Sequence, residues 1–300
     1  MTSRDSTILL TGSTGFVGQA LLPALLEQKR SVRCLVRNQG LATPCAVEAV
    51  SGDLLKPETL QPVFDGIDTA YYLVHSLSAG PKRFSDLDHR AAENFTEAAS
   101  KAGVRHVIYL SGLGEQANSL SRHLASRGEV TRVLSGGPFE LTTFRAAIII
   151  GAGGASFELL RFLVRTQPVL LESDLLQTRC QPIALRDVIH YLTACLDEPR
   201  IQGQTCDIGG PEVLSYHTLL ERMAAVANTV NLYLPVPSIS SRWVGRWVGL
   251  LSRLDSKVVE ALLEGLGNEV ICRDQSIRKL VPFSLTPLDK AIRMALGDAT

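Results

Sequence analysis

The segment TGSTGFVG, residues 11–18, constrains this chain more than any other stretch, because it places Gly12, Gly15 and Gly18 at intervals of three. It begins where the apolar run TILLT (Thr7 to Thr11) ends and opens the helical pattern GFVGQALLPALLEQ. A strand, a glycine-rich turn and a helix in that order form a known anion cradle. Gly12 permits the tight turn, Gly15 lets the backbone approach a pyrophosphate, and Gly18 lets the helix pack closely on the sheet. The helix N-terminus then offers unpaired N–H groups and a partial positive charge. Gly12, Ser13, Thr14, Gly15, Phe16, Val17 and Gly18 are therefore the first candidate cofactor-binding residues.

Beyond this loop, short apolar runs alternate with helical patterns: strand SVRCLVR, a short strand near AVEAVSG, helix PETLQPVF, strand DTAYYLV, and a long helix around DLDHRAAENFTEAASKAG. Strand VRHVIYLSG, helix SLSRHLASRGEVTRVLS and strand LTTFRAAIIIG follow. Runs rather than alternations are expected of parallel strands covered on both faces. The fold class is α/β, a doubly wound parallel Rossmann-type sheet with a smaller C-terminal substrate-side region. Residues 1–151 read as the dinucleotide-binding core. Residues 152–300 read as the substrate side with a C-terminal helical extension, the two parts either separate or one integrated domain. The Pro-rich YLPVPS reads as a separator before that extension.

Composition narrows the ligand. Of 300 residues 45% are hydrophobic, enough for a large core, and 30 basic side chains balance 30 acidic ones, so no overall field favours nucleic acid or an anionic membrane. A small-molecule substrate or effector is expected. Cys34, Cys45, Cys180, Cys195, Cys206 and Cys272 form no C-x-x-C pair, so they read as reduced packing residues and neither a metal site nor a disulfide scaffold is expected. No apolar run is long enough to span a bilayer and the N-terminus lacks a signal-peptide core, which leads to the expectation of a cytoplasmic protein. Self-association is left open.

At the end of the second strand the chain reads LVRN, with Arg37 where a fold of this kind that prefers NAD places an acidic residue. A guanidinium suits the 2′-phosphate of NADP, so NADP is expected over NAD; the alternative for Arg37 is a solvated arginine at a strand end. These segments resemble the atypical, NmrA-like, NAD(P)H-binding branch of the short-chain dehydrogenase/reductase superfamily. TGSTGFVG matches the glycine pattern of its extended members. SGDL (Ser51 to Leu54) is similar to the segment whose Asp contacts the adenine, which implies roles for Asp53 and Leu54. YYLVHS resembles the fourth strand, whose end lines the cofactor ribose, and VIYLSGLG the fifth, which puts Ser111 where active members keep a catalytic serine. FRAAIIIGAGGASFELLRFLV and RCQPIALRDV resemble the substrate-side segments of an uncharacterised bacterial subgroup.

The resemblance also exposes a departure. Active members carry a Tyr-x-x-x-Lys pair, in which the tyrosine is the acid or base and the lysine lowers its pKa. The corresponding stretch here, SLSRHLASRGEV, offers His123-x-x-x-Arg127. Spacing of four puts both on one helix face. Arg127 could hold a ribose or phosphate and His123 could pass a proton, so Ser111, His123 and Arg127 are the candidate catalytic residues; the alternative is two ordinary polar residues beside an inert cofactor site. His75, at the sheet edge where such folds bind ligands, is a further cofactor candidate or a packed loop histidine. Tyr109 reads as a core aromatic and Asp187 as the cap of helix DVIHYLTACL. Trp243 and Trp247 read as a buried helix face, with a lid or partner surface as the alternative.

Two function classes fit these residues. The first is an NADP-dependent oxidoreductase acting on a small apolar substrate. The second is a non-catalytic NADP-binding redox sensor or assembly factor.

Overall fold

The computed structural model describes residues 7–37, 47–75, 84–114, 122–236 and 256–297. The first half runs β1 (Thr7–Leu10), α1 (Phe16–Glu27), β2 (Val32–Val36), β3 (Glu48–Ser51), α2 (Gln61–Phe64), β4 (Ile67–Tyr72), α3 (Phe84–Ala102), β5 (His106–Gly112), α4 (Arg122–Leu134) and β6 (Glu140–Ala146). The second half contributes β7 (Ile149–Ile150), α5 (Ala155–Thr166), β8 (Val169–Glu172), β9 (Arg179–Cys180), β10 (Ile183–Ala184), α6 (Leu185–Ala194) and β11 (Thr205–Ile208). These are followed by β12 (Leu214–Ser215), α7 (Tyr216–Val226), β13 (Leu232–Pro235) and the C-terminal helices Ser256–Gly265, Ile277–Leu280 and Leu288–Leu296.

Seven strands form one sheet in the order β11-β6-β5-β4-β1-β2-β3, every pair parallel. The chain winds outward from β1 first through β2 and β3, then through β4, β5 and β6, so strand order reverses between β1 and β4. That reversal opens a crevice at the carboxyl ends of the strands, where ligands of doubly wound sheets bind.

Strand pleating sends alternate side chains to opposite layers. Ile8, Leu10 and Tyr71 join a core with Leu21 and Leu25 of α1 and Val188 and Leu192 of α6. Leu9, Tyr72 and Tyr109 join the opposite core with Phe95 of α3 and Val130 of α4. Tyr109 is thus the core aromatic its strand position predicts, fully buried. Each fully buried Leu or Phe contributes about 1.5–3 kcal/mol, and two such layers hold the sheet from both sides.

The second half is tied into this frame at several points. β11 extends the main sheet beside β6. Asp207 on β11 is buried; its carboxylate accepts Arg145 Nε at 2.7 Å and the Arg273 N–H at 2.9 Å, pinning the C-terminal segment to the sheet. Asp187 is not a helix cap: α6 starts at Leu185 with Ala184 at its N-cap, so Asp187 already lies inside the first turn. Its buried carboxylate instead accepts the Thr286 N–H at 2.7 Å and Thr286 Oγ1 at 2.8 Å. YLPVPS is likewise more than a separator, because Leu232–Pro235 forms β13 against β8. Pro235 is tolerated there because β13 is paired on one side only. Trp243 and Trp247 lie outside the described residues. Cys34, Cys180, Cys195, Cys206 and Cys272 are free thiols. No helix among the described residues is long and apolar enough to cross a membrane.

His106 opens β5 as a buried imidazole whose Nε2 meets Thr142 Oγ1 at 2.8 Å. Burial lowers its pKa to about 4. The unfolded chain therefore binds a proton below about pH 6.5 that the folded chain refuses, so stability is full above that pH and falls as pH drops toward 4. We predict a loss on the order of 3 kcal/mol from this group between pH 7 and pH 4, read from urea unfolding at each pH. His106→Gln should flatten that slope; an unchanged slope would refute the assignment.

Candidate functional site

The glycine loop is built by close backbone approaches. Thr11 is fastened to β4 through its N–H and Oγ1, both donating to the Tyr71 carbonyl at 3.1 and 2.8 Å. Gly12 then adopts φ +69°, and a Cβ there would stand 2.6 Å from the Leu73 carbonyl oxygen. A Cβ on Gly18 would stand 2.2 Å from the Gly12 carbonyl oxygen. Neither position has room for a side chain. Gly15 differs: φ is −81°, it is exposed, and an added Cβ would crowd only the Gly12 oxygen at 3.2 Å. It N-caps α1 with no side-chain cap, and the first turn holds no acidic residue. The amides that open α1 are therefore left to an anion, and a Cβ on Gly15 would meet no atom but the Gly12 oxygen within 4 Å. This cradle fits a pyrophosphate.

The loop continues into a cleft of about 440 Å³. Gly15, Phe16, Val17 and Gly18 line it. So do the polar residues His75, beyond β4, Ser111, at the end of β5, and Arg127 of α4. Apolar side chains of the second half complete the lining, among them Ile148, Leu159, Leu160, Leu262, Leu266 and Val270. These walls come from the segment after β6, from α5, and from the helix Ser256–Gly265 and the chain just after it.

The polar groups are connected. His75 Nδ1 lies 2.6 Å from Asp88 Oδ2, and Ser126 Oγ donates to the same oxygen at 3.5 Å. Burial and the nearby Arg127 charge lower the His75 pKa, while Asp88 pulls it the other way. The Arg127 guanidinium carbon stands 5.9 Å from the centre of the Tyr109 ring, and Arg127 Nη1 donates to Tyr109 Oη at 3.4 Å. Arg127 Nε is buried with no hydrogen-bond partner among the described residues. An unpaired buried donor costs roughly 1–3 kcal/mol, which a ligand oxygen could recover. Ser111 is 3% exposed.

The structure therefore brings Ser111, Arg127 and His75 to the cleft that the glycine loop opens. His123 falls on α4, but its side chain lies outside what is described. Ser13 is buried, and Thr14 is exposed with its carbonyl accepting Gln19 Nε2 at 2.9 Å. Arg37 is exposed just past β2. Asp53 Oδ1 accepts the Leu55 N–H at 3.0 Å, and the carbonyl of buried Leu54 accepts Asn94 Nδ2 at 2.6 Å. Arg37, Asp53 and Leu54 are not among the residues lining the cleft. Asp88 was missed by sequence reasoning, although a signal existed. It shares a helix face with buried Ala91, Ala92, Phe95 and Ala99, and a carboxylate on an apolar face calls for a partner. Among the described residues, no cluster of His, Cys, Asp or Glu could hold a metal ion.

Comparison with known proteins agrees with this geometry. Residues 12–132 match the family described as NAD(P)H-binding. A chloroplastic divinyl chlorophyllide a 8-vinyl-reductase of Arabidopsis thaliana is 21% identical over 69% of this chain, and the match spans only 54% of that protein's length. A photosystem II assembly factor of Trieres chinensis is 24% identical over 76% of this chain and 73% of its own. Among solved structures, the triphenylmethane reductase of Citrobacter sp. complexed with NADP(H) superposes with a TM-score of 0.77 at 19% identity, covering 96% of this chain and 99% of that one.

The loop geometry separates binding from folding. Gly15→Leu should keep the melting temperature within about 3 °C but weaken NADPH binding at least ~10-fold by calorimetry, because its side chain enters the pyrophosphate space. Gly18→Ala should instead lower the melting temperature by several degrees, since its Cβ meets backbone. Full NADPH affinity in Gly15→Leu would remove the loop from the cofactor site.

Proposed function

Starting from the match of residues 12–132 to an NAD(P)H-binding family, we propose that the protein is an NADP(H)-dependent oxidoreductase of the short-chain dehydrogenase/reductase type, acting on a small, uncharged, largely apolar substrate. The observation that carries this reading is that one cleft is lined at once by the opening of α1, by Ser111 and Arg127, and by apolar side chains of the second half. When bound, the nicotinamide supplies or accepts the hydride. The chain's own residues do the rest. The α1 amides hold the pyrophosphate and Arg37 meets the 2′-phosphate. Arg127 offers its unpartnered Nε to a ribose or phosphate oxygen, and Ser111 orients the reacting group. Leu159, Leu160, Leu262 and Leu266 exclude water from the cleft.

A second reading, a non-catalytic NADP-binding sensor or assembly factor, is favoured by His123-x-x-x-Arg127 in place of Tyr-x-x-x-Lys and by the likeness to an assembly factor. Anaerobic NADPH oxidation against a panel of quinones, conjugated ketones and aromatic aldehydes separates the two. Turnover of one acceptor class with saturation supports the enzyme. Tight NADPH binding with no turnover across the panel supports the sensor.

Cofactor choice gives the sharper test. Arg37→Glu should weaken NADPH more than NADH by about 1.5–3 kcal/mol, roughly 10- to 150-fold in selectivity, as the charged hydrogen bonds to the 2′-phosphate are lost. Calorimetric titration with both nucleotides reads this directly. Equal losses would show that Arg37 does not read the 2′-phosphate.

A further inference from the structure

His75 leaves β4 at the carboxyl edge of the sheet. Tyr72 is paired with Tyr109, and continuing that parallel register sets Val74 beside Ser111, so His75 stands level with the end of β5 and lines the same cleft. Its Nδ1 is 2.6 Å from Asp88 Oδ2, and Asp88 is 3% exposed. An ionised carboxylate only accepts hydrogen bonds, so Nδ1 carries the proton and Nε2, across the ring, keeps its lone pair. Ser126 Oγ, donating to the same Asp88 oxygen, helps fix the carboxylate.

We propose that the His75–Asp88 pair is the proton-transfer site of the cleft, with Asp88 as the positioning residue and His75 Nε2 as the base. This rests on the oxidoreductase reading above. In the oxidative direction Nε2 takes the proton of a substrate hydroxyl while the adjacent carbon gives up hydride to NADP⁺, leaving a carbonyl and an imidazolium. In the reductive direction the imidazolium returns that proton to the oxygen of the reduced carbonyl.

The surroundings suit this role. Among the described residues, the charged groups acting on the ring are Asp88 from α3 and Arg127 from α4, and Tyr72 and Tyr109 lie near those two charges. Both tyrosines are buried, and burial holds the Tyr72 phenol neutral. Burial and Arg127 together keep His75 below the usual histidine range. At neutral pH the ring is therefore uncharged and ready to accept a proton. Arg127 acts on this base by disfavouring its protonated form, not by touching the reacting atom.

The test needs no assay of turnover. In ¹⁵N-histidine-labelled protein at pH 7, the His75 ring should show the Nδ1–H tautomer, and Asp88→Ala should move it toward Nε2–H. Diethyl pyrocarbonate, which attacks an unprotonated ring nitrogen, should label His75 in the wild-type protein by peptide mapping, and saturating NADP⁺ should slow that labelling at least tenfold. Nε2–H in the wild-type protein would overturn the proposal, as would a His75 that resists the reagent while His89 and His217 react. NADP⁺ binding that leaves the labelling rate unchanged would also overturn it. Failure of NADP⁺ to bind at all, seen by calorimetry, would instead defeat the oxidoreductase reading and leave the tautomer result standing.

Discussion

Everything at the carboxyl edge of the sheet depends on how closely three stretches of backbone meet at Gly12. The Leu73 carbonyl presses on it from β4's end, its own carbonyl presses on Gly18, and Thr11 is tied twice to Tyr71. Those contacts set the height at which α1 begins relative to β4. They therefore set where the α1 amides stand relative to His75, two residues beyond Leu73. A methyl group at Gly12 or Gly18 would force the helix away from the sheet, so the phosphate cradle and the polar groups of the cleft share one mechanical origin.

The apolar lining of the cleft has a different origin. It comes from segments distant in sequence, which must be held against the sheet by something other than strand pairing. Buried carboxylates supply part of that hold. Asp207 gathers Arg145 and the Arg273 amide, and Asp187 gathers Thr286 just before the last helix. Each satisfies a buried charge with several donors, and losing the donors would leave that charge uncompensated. Such contacts select one arrangement of the C-terminal segments over other ways of burying the same leucines.

Much of this was legible in the sequence, and the boundary follows the range of the physics. Turns and strand runs depend on near neighbours, so Gly12, Gly15 and Gly18, the parallel strands and the buried Tyr109 could be read directly. Asp187 was misread because a local rule, capping, competed with a partner 99 residues away that no local pattern reveals. β13 was hidden by Pro235, since an edge strand paired on one side tolerates what a central strand would not. His75 was read as a cofactor contact because its partner on α3 could be found only by noticing one acid among alanines.

The charges around the cleft are supplied by different elements, and that separation sets what each can reach. Here the cation stays on α4 as Arg127, while the carboxylate sits behind the cleft on α3, buried and bonded to both His75 and Ser126. Among the described residues lining the cleft, Arg127 is the sole permanent charge, and its side chain leans on Tyr109. Arg127 therefore meets the cleft as the fixed cation among its described lining residues, with a buried Nε that has no hydrogen-bond partner among the described residues and can serve an acceptor oxygen.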